Sequence, residues 1–376
     1  MSGPRVLFAG GGTGGHLYPA LALAEALRRR DADTEVFFVG ALRGVEARVL
    51  PERGVPHKLL PFEPIRRGQL LENWKLVPAF FGSALGLSGV FRQFRPELVV
   101  GKGGCASGPA VAWGLLNRVP TAVQEQNSFP GLTTRWVAGR TRQIHLAFPE
   151  ARQYLKPGPR TELFEYGNPI QPPDTSLARM EARGHFGLGD GTVTLIVGGS
   201  QGARAVNEAL LADLRGVAEE RLSPRPAGFQ ILWATGPAHF ESINARLDEL
   251  QLGEWVKAVG YIEDMPRALA AADLAVSRAG AMALAELCAW GVPSVLVPLP
   301  TAAANHQYHN AVALRDAGAA RMITEHELET GRLWQELVEL AASDAERERV
   351  AERARDRGRP DAADRIAFEL AKLFRA

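Results

Sequence analysis

A glycine-rich turn that ends on a histidine is the stretch of this chain best suited to chemistry. Residues 10–16 read Gly-Gly-Gly-Thr-Gly-Gly-His, after an apolar run at 6–9 and before helix formers at 18–27. Glycines let the backbone approach a ligand closely, and the start of a helix directs free N–H groups at an anion. An imidazole has an unperturbed pKa near neutral pH, which suits His16 to a general base. The turn therefore predicts an anion site with a proton acceptor beside it, although a histidine that only caps or orients the turn would have the same spacing.

A second glycine-rich turn repeats this unit about 190 residues later. An apolar run at 192–197 leads into Gly198-Gly199-Ser200-Gln201-Gly202-Ala203, and helix formers continue to residue 214. The turn is not a P-loop, because it lacks the Gly-Lys-Ser/Thr ending. Its main-chain N–H groups are suited to an anionic leaving group.

Short apolar runs alternate with longer amphipathic stretches in both halves, which predicts parallel sheets with helices on both faces. Strands are predicted at 6–9, 36–39, 98–100, 121–124, 143–147, 192–197, 230–234, 256–259, 274–277 and 294–297, and helices include 18–30 and 44–52. A chain of 376 residues is too long for one ordinary core. We therefore expect two doubly wound α/β domains.

The turn-rich stretch 167–173 is the predicted linker, with an N-terminal domain at 1–165 and a C-terminal domain at 166–360. A last helix at about 361–376 carries an apolar stripe and can pack on either domain, including back on the N-terminal one; the stripe is Ile366, Leu370 and Phe374. Ligands of open α/β sheets bind beyond the carboxyl ends of the strands, so both glycine turns can face a cleft between the domains.

The composition, with 46% hydrophobic and 23% charged residues, is that of a soluble globular protein. Two cysteines, Cys105 and Cys288, cannot build a disulfide framework, which fits a reducing cytoplasm. We expect no signal peptide and no membrane span, since no apolar stretch has the required length. Residues 1–165 carry 21 Lys and Arg against 13 Asp and Glu, whereas the remainder carries 22 against 29. This asymmetry indicates that the basic half meets an anionic partner.

A dinucleotide-dependent oxidoreductase is one alternative, because Gly10, Gly12 and Gly15 match G-x-G-x-x-G. That motif also needs an acid at the end of the second strand to bind a ribose. Glu35 stands before the predicted strand 36–39, at the wrong end. The alternative also gives His16 no role, and a thermal shift with NAD(P) against a nucleotide sugar would distinguish the two.

Seven motifs follow one another along the chain: Gly11-Gly12-Thr13-Gly14-Gly15-His16, Gly101-Lys102-Gly103-Gly104, Ser107-Gly108-Pro109, Glu125-Gln126-Asn127, Gly167-Asn168-Pro169, Gly198-Gly199-Ser200-Gln201-Gly202-Ala203 and Arg278-Ala279-Gly280-Ala281. Together they resemble the MurG family, the glycosyltransferases of peptidoglycan synthesis, over essentially the whole chain. The resemblance implies a GT-B fold, in which two Rossmann-like, doubly wound α/β domains face a cleft. It also implies inverting transfer of N-acetylglucosamine (GlcNAc) from UDP-GlcNAc to the C4 hydroxyl of the muramyl sugar of lipid I, which gives lipid II.

The same resemblance implies the partners and the location. We expect UDP-GlcNAc and undecaprenyl-linked lipid I as substrates, peripheral attachment to the anionic cytoplasmic face of the inner membrane, and no nucleic acid, cofactor or metal. The pair Asp31 and Asp33 follows three arginines at a helix end and is interpreted as a solvated turn rather than a metal site.

Site roles follow from the motifs that match the family. His16 is the candidate general base, and Glu125 is a second candidate base or an orienter of the acceptor. Glu286, on the helix after Arg-x-Gly-Ala, is expected to accept the ribose hydroxyls, because a carboxylate can accept both hydroxyls of a diol. The structural alternative for Glu286 is a solvated acid on a helix face. The expected UDP-GlcNAc contacts are Thr13, Gly14, Gly15, Asn127, Ser200, Gln201, Ile262, Arg278, Ala281, Met282, Ala283, Leu284, Ala285, Glu286 and Gln307. For Arg278 a structural ion pair is the alternative.

Some positions differ from the family pattern. Gln124 stands where a histidine is common, and Cys105 stands where a tyrosine is common. Gln171 stands where an arginine often contacts the donor, and residues 301–304 lack the acids often found there. These differences concern individual contacts, chiefly the one at Gln171, and not the family.

A stretch at 66–81 mixes basic with large apolar residues, as membrane-interface segments do. The expected membrane patch is Leu71, Trp74, Lys75, Phe80 and Phe81. An ordinary core helix is the other interpretation of this stretch. Two further functions stay open: a UDP-GlcNAc 2-epimerase of the same fold, and a non-catalytic membrane-associated scaffold.

Overall fold

The computed structural model describes residues 3–62, 76–199, 202–329 and 331–374. In chain order the elements are β1 Arg5–Ala9, α1 Gly14–Arg30, β2 Glu35–Ala41, α2 Glu46–Glu52, β3 His57–Leu60, α3 Leu76–Phe94, β4 Leu98–Gly101, α4 Ser107–Leu116, β5 Thr121–Glu125, α5 Leu132–Val137, β6 Gln143–Leu146, β7 Glu162–Phe164, α6 Arg179–His185, β8 Val193–Val197, α7 Arg204–Ala218, β9 Gln230–Ala234, α8 Phe240–Glu249, β10 Val256–Val259, α9 Met265–Ala271, β11 Leu274–Ser277, α10 Ala281–Trp290, β12 Ser294–Leu296, α11 His306–Asp316, β13 Arg321–Met322, α12 Arg332–Ala342, α13 Asp344–Arg357 and α14 Ala362–Lys372. They form two compact units: Met1–Gln171 with Pro360–Ala376, and Pro172–Arg359.

The first unit is built on a parallel sheet with strand order β3-β2-β1-β4-β5-β6-β7. Alternate residues of β1 enter different cores: Val6 and Phe8 pack on one face, and Leu7 and Ala9 on the other. Because both faces are covered, the central strands are continuous apolar runs rather than alternating ones.

The last helix, α14, returns to the first unit. Ile366 and Leu370 are fully buried in the core beneath α1. The side-chain amide of Gln143 donates to the carbonyl oxygen of Glu369 at 3.1 Å, which ties α14 to the sheet. The apolar stripe therefore packs on the N-terminal domain, one of the two alternatives that the sequence left open.

The second unit repeats the architecture with the parallel strand order β10-β9-β8-β11-β12-β13. Its core includes Trp233 and Trp334, both almost fully buried, in the same cluster as Phe229, whose ring packs edge-on against Trp334. In each sheet the strand order changes direction beside the strand that precedes a glycine turn: successive strands extend the sheet to one side of β1 and then, from β4, to the other, and β8 and β11 have the same relationship. Such switch points are where open α/β sheets bind ligands.

The predicted strands are all present, with ends shifted by two residues at most. Three strands were not predicted: β3, β7 and β13, each at a sheet edge. Edge strands are half-exposed and need no continuous apolar run, so their sequences lack that signal. Helix α1 begins at Gly14 rather than at residue 18, which places His16 inside its first turn. Among the described residues, no helix is both long enough and apolar enough to cross a bilayer.

Candidate active site

In the first unit, the turns that follow β1 and β4 pack backbone against backbone. A Cβ atom on Gly104 would lie 2.2 Å from the carbonyl oxygen of Gly11, and one on Gly10 would lie 2.9 Å from Cβ of Lys102. Only glycine permits this approach. The glycine motif at 10–15 and the motif at 101–104, far apart in sequence, therefore form one surface at the carboxyl edge of the sheet.

His16 lies at the centre of this surface. It is half-buried in the first turn of α1, and its ring rests on Gly103. A Cβ atom on Gly103 would lie 3.0 Å from Cε1 and 3.1 Å from Nδ1 of the imidazole, and Gly103 has a φ of +86°. A Cβ atom on Gly15 would lie 3.8 Å from Oε1 of Gln126, so the end of β5 forms the third side.

Glu125, the last residue of β5, is 6% exposed, and both of its carboxylate oxygens are occupied. Oε1 accepts from the main-chain N–H groups of Gln126 at 3.0 Å and Asn127 at 3.1 Å, and from Nδ2 of Asn127 at 3.4 Å. Oε2 accepts from the N–H of Gly131 at 3.0 Å and from the hydroxyl of Thr134 at 2.7 Å. Two roles were considered for Glu125, a general base and a residue that orients the acceptor. This geometry favours the orienting role, because the carboxylate holds the loop that carries Asn127.

A ring of buried polar groups lies beneath these loops. The ammonium of Lys102 donates to Oε1 of Gln124, and Nε2 of Gln124 donates to Oδ1 of Asn168 at 3.0 Å. Nδ2 of Asn168 donates to the carbonyl of Gln126 at 3.1 Å, and Nε2 of Gln126 donates to the carbonyl of Lys102 at 3.1 Å. Lys102 is fully buried, and burial lowers its pKa well below the usual value. Gln124 can serve this ring because an amide both accepts and donates.

Glu46 is a functional candidate that the sequence did not reveal. It is the first residue of α2 and is fully buried. Its Oε1 accepts from the N–H groups of Gly12 and Ala41, both at 2.9 Å, and Oε2 lies 3.0 Å from the N–H of Gly12. The N–H that a dinucleotide turn would offer to a pyrophosphate is therefore already used. Glu35 is the first residue of β2 and lies opposite Arg5 in the sheet register, at the amino end of the strand, so it is not placed to bind a ribose at the carboxyl end.

In the second unit, Gly202 shapes the turn after β8. It has a φ of +76°, and a Cβ atom on it would lie 2.2 Å from the carbonyl oxygen of Thr235 at the end of β9. The predicted contacts Ser200 and Gln201 lie outside the described residues.

Helix α10 begins at this same edge, directly after β11. Gly280 is its N-cap, no side chain caps the helix, and its first turn holds no acid. The N–H groups of Met282 and Ala283 have no acceptor within the helix. They can therefore bind an anion, and the helix dipole favours one there.

Glu286 follows one turn later on α10 and is half-buried. Burial raises its pKa to about 7. Within the part of the chain that the structure describes, no side chain or N–H group is hydrogen-bonded or ion-paired to its carboxylate. A plain solvated acid would not be shielded in this way, and the carboxylate is suited to accept hydroxyl groups of a ligand.

Three predicted donor contacts have structural partners of their own. The guanidinium of Arg278, 11% exposed, is ion-paired with Glu325 and donates to the carbonyl of Val297 at 3.1 Å, which is the structural alternative considered for it. Oε1 of Gln307 accepts from the N–H of Leu299 at 3.0 Å. The side chain of Ile262 is buried in the core, so that residue can meet a ligand only through its main chain.

The remaining predicted residues have mixed settings. Leu284 is almost fully buried, so it too can offer only its main chain, and Gln171 is exposed. Of the expected membrane patch, Leu71, Trp74 and Lys75 and the side chain of Phe80 lie outside the described residues. Phe81 is 62% exposed on α3, and Leu85, one turn later, is 75% exposed. No cluster of His, Cys, Asp and Glu suited to a metal ion occurs among the residues described.

Two parallel-sheet units, each with a glycine turn at the carboxyl edge beside the switch point, are the architecture of the GT-B fold. The chain belongs to glycosyltransferase family 28: the model of the family's N-terminal domain matches residues 6–146, and that of its C-terminal domain matches residues 193–366. The family resemblance and the fold predicted from the seven motifs are thereby confirmed.

Relatives cover the whole chain. A protein of Prosthecochloris aestuarii is 40% identical over 98% of this chain and 99% of its own length; it is named UDP-N-acetylglucosamine–N-acetylmuramyl-(pentapeptide) pyrophosphoryl-undecaprenol N-acetylglucosamine transferase. The crystal structure of Acinetobacter baumannii MurG is 27% identical, with a TM-score of 0.77 over 98% of this chain and 99% of that one. A crystal structure of a UDP-N-acetylglucosamine 2-epimerase has a TM-score of 0.65 over 98% of this chain and 96% of that one, but at 14% identity it shares the fold alone.

Proposed function

We propose that this chain is an inverting glycosyltransferase that moves GlcNAc from UDP-GlcNAc to the C4 hydroxyl of the muramyl sugar of lipid I, giving lipid II. The full-length identity of 40% to a transferase of that name supports the reaction. The observation that carries it is Glu286, a half-buried carboxylate one turn beyond the uncapped start of α10. Phosphate charge and a ribose diol require these two features side by side.

The second unit is the donor site in this proposal. The N–H groups of Met282 and Ala283 stabilise the charge that develops on the departing UDP, as preorganised donors do for other leaving groups. Glu286 accepts the ribose hydroxyls, and the main chain of Ile262 contacts uracil. No metal is assigned, so turnover in excess EDTA is expected to equal turnover in its absence.

The first unit is the acceptor site. His16 removes the proton of the C4 hydroxyl while that oxygen forms a bond to the anomeric carbon and the bond from this carbon to UDP breaks. Attack from the side opposite UDP inverts the anomeric centre. Glu125 acts through the loop it holds: its hydrogen bonds fix Asn127, the residue to which this proposal assigns the contact with the donor sugar.

The test uses purified protein, UDP-GlcNAc and a lipid I analogue. We expect turnover by the wild type and a loss of about 100-fold or more in kcat for His16→Ala, the usual size of a general-base contribution. Thermal stabilisation by UDP-GlcNAc and none by NAD(P) is expected in parallel. The proposal is overturned if NAD(P) alone stabilises the protein, and the base assignment is overturned if His16→Ala turns over like the wild type.

We also propose that the first unit attaches to the anionic cytoplasmic face of the membrane through α3, at Phe81 and Leu85. Phe81 and Leu85 lie one turn apart and are exposed, and the N-terminal part of the chain has an excess of basic residues. In sedimentation with anionic vesicles, the double variant Phe81→Ala, Leu85→Ala is expected to lose most of its binding. Met180→Ala, which removes an exposed apolar side chain from the second unit, is the matched control. Equal sedimentation of both variants would contradict the assignment.

A further inference from the structure

Glu46 occupies a socket that three glycines leave open. A Cβ atom on Gly11 would lie 1.9 Å from Oε1 of Glu46, one on Gly40 would lie 2.6 Å from its Cγ, and one on Gly44 would lie 2.2 Å from Oε2. None of these positions tolerates a side chain while the carboxylate stays where it is. The turn after β1 and the two ends of the β2–α2 connection are thus shaped around one acid.

The charge of this acid is met by main-chain N–H groups. Gly12 donates to both oxygens and Ala41 donates to Oε1, and within the described residues no Lys, Arg or His is ion-paired with it. A fully buried carboxylate is costly unless it is hydrogen-bonded, so these bonds fix its position firmly. They also fix Gly12, whose φ of +96° no other residue type would hold comfortably.

The position of Gly12 bears directly on His16. Gly12 is two residues before the start of α1, and His16 is in the first turn of that helix. The carbonyl of Thr13 accepts the N–H of His16 at 3.1 Å, so the turn and the imidazole form one short hydrogen-bonded segment. Gly11, on the other side of Gly12, meets Gly104 in the neighbouring turn.

We propose that Glu46 is a positioning residue for catalysis: a built-in anion that takes the place of a ligand phosphate at the N–H of Gly12 and locks the glycine turn so that His16 stands over Gly103. The inference rests on the proposed function. It assigns the N–H of Gly12 to an internal carboxylate, and the nucleotide to the start of α10 and Glu286.

Removal of the carboxylate tests this role. Glu46→Ala is expected to lower kcat by about 100-fold, because displacement of a reacting group by about 1 Å has that effect. The KM for UDP-GlcNAc and the dissociation constant of UDP are expected to stay near their wild-type values, since the groups proposed to hold UDP, the start of α10 and Glu286, lie in the second unit. Glu52→Ala, which removes an exposed acid from the same helix, is the matched control and is expected to leave kcat unchanged.

Chemical rescue separates positioning from simple loss of stability. Formate can take the place of the removed carboxylate and accept from the N–H groups of Gly12 and Ala41. It is therefore expected to raise the kcat of Glu46→Ala at least about tenfold, whereas neutral formamide is expected to raise it little. If Glu46→Ala does not fold, Glu46→Gln retains the shape and is expected to lose about tenfold in kcat with an unchanged KM for UDP-GlcNAc.

Wild-type kcat in a folded Glu46→Ala or Glu46→Gln variant would overturn the inference, as would equal rescue by formate and formamide. An inactive wild-type protein would instead overturn the proposed function, so the two failures are distinguishable.

Discussion

The imidazole of His16 lies directly on the main chain of Gly103, which belongs to the turn after a different strand. A Cβ atom at residue 103 would lie 3.0 Å from Cε1 of His16. This contact joins two motifs that are far apart in sequence, and it makes the position of the candidate base sensitive to a single methyl group.

Gly103→Ala is expected to lower kcat at least about tenfold by displacing His16, with the KM for UDP-GlcNAc unchanged. Some stability is also lost, since a φ of +86° costs a non-glycine residue about 1–2 kcal/mol. Gly54→Ala is the matched control, because Gly54 has a φ of +62° with no atom within 4 Å of its Cβ position. Steady-state kinetics with both variants measure the effect; equal kcat values for the two would rule out the contact as its cause.

Glu125→Gln distinguishes an orienter from a base. The amide can still accept but no longer offers two equivalent oxygens to the donors of the 126–134 loop, so a lower melting temperature and a lower kcat are expected. The acidic limb of the pH–rate profile should persist in this variant, because the proposed base, His16, is unchanged. Loss of that limb in Glu125→Gln, with retention in His16→Gln, would make Glu125 the base.

Binding of uridine is expected to depend on Glu286 and on pH. Burial raises the pKa of this carboxyl to about 7, so it is largely neutral at pH 6 and largely ionised at pH 8. The ionised form accepts both ribose hydroxyls, so uridine should bind up to about tenfold more weakly at pH 6 than at pH 8. Uridine carries no phosphate that titrates in this range. Calorimetry should show weak, pH-independent binding to Glu286→Gln, and a pH-independent wild type would contradict the assignment.

The same carboxyl affects the stability of the free protein. Its folded pKa of about 7 lies above its ordinary value of 4.5, so the folded state binds the proton more tightly. Stability from this group is fully present below pH 4.5 and is lost as the pH rises through 7. Glu286→Gln is therefore expected to be more stable than the wild type at pH 8.5, by about 3 kcal/mol at most, but not at pH 4.5. Thermal melts at the two pH values measure this; an equal difference at both would contradict it.

His145 should make the first unit sensitive to acid. It is fully buried and stacked on Phe164, with 5.2 Å between ring centroids. Burial is the main cause that lowers its pKa to about 3, and the charge of Lys102 is a smaller one. Because the unfolded chain binds a proton near pH 6.5 and the folded chain does not, stability falls by about 1.4 kcal/mol per pH unit below that value. His145→Phe keeps the stacking and is expected to have a shallower slope between pH 7 and pH 5 in denaturation experiments. Parallel slopes would show that other groups govern the acid response.

Central strands and the glycine turns were predictable from local patterns. The run Val6–Ala9 has to be apolar throughout because helices cover both faces of the sheet. The edge strand His57–Leu60 has one sheet neighbour and partly exposed side chains, so its sequence resembles that of a loop.

Residue type selected His16 and the family resemblance selected Glu286, but neither showed the surroundings of these side chains. No role was predicted for Glu46, or for Lys102 despite its place in one of the seven motifs, since a single lysine or glutamate is usually a solvated surface residue. Their roles come from partners distant in the sequence: Glu46 meets Gly12 and Gly40, and Lys102 meets Gln124.

The sequence by itself determined the family, the two α/β units and the types of residue available for catalysis, because strand patterns and glycine turns are encoded over a few neighbouring residues. Only the tertiary structure decided which of these groups are buried, which are already hydrogen-bonded and which remain to meet a ligand. Burial and hydrogen-bond saturation depend on packing between distant segments, as the occupied carboxylate of Glu125 and the shielded carboxylate of Glu286 show.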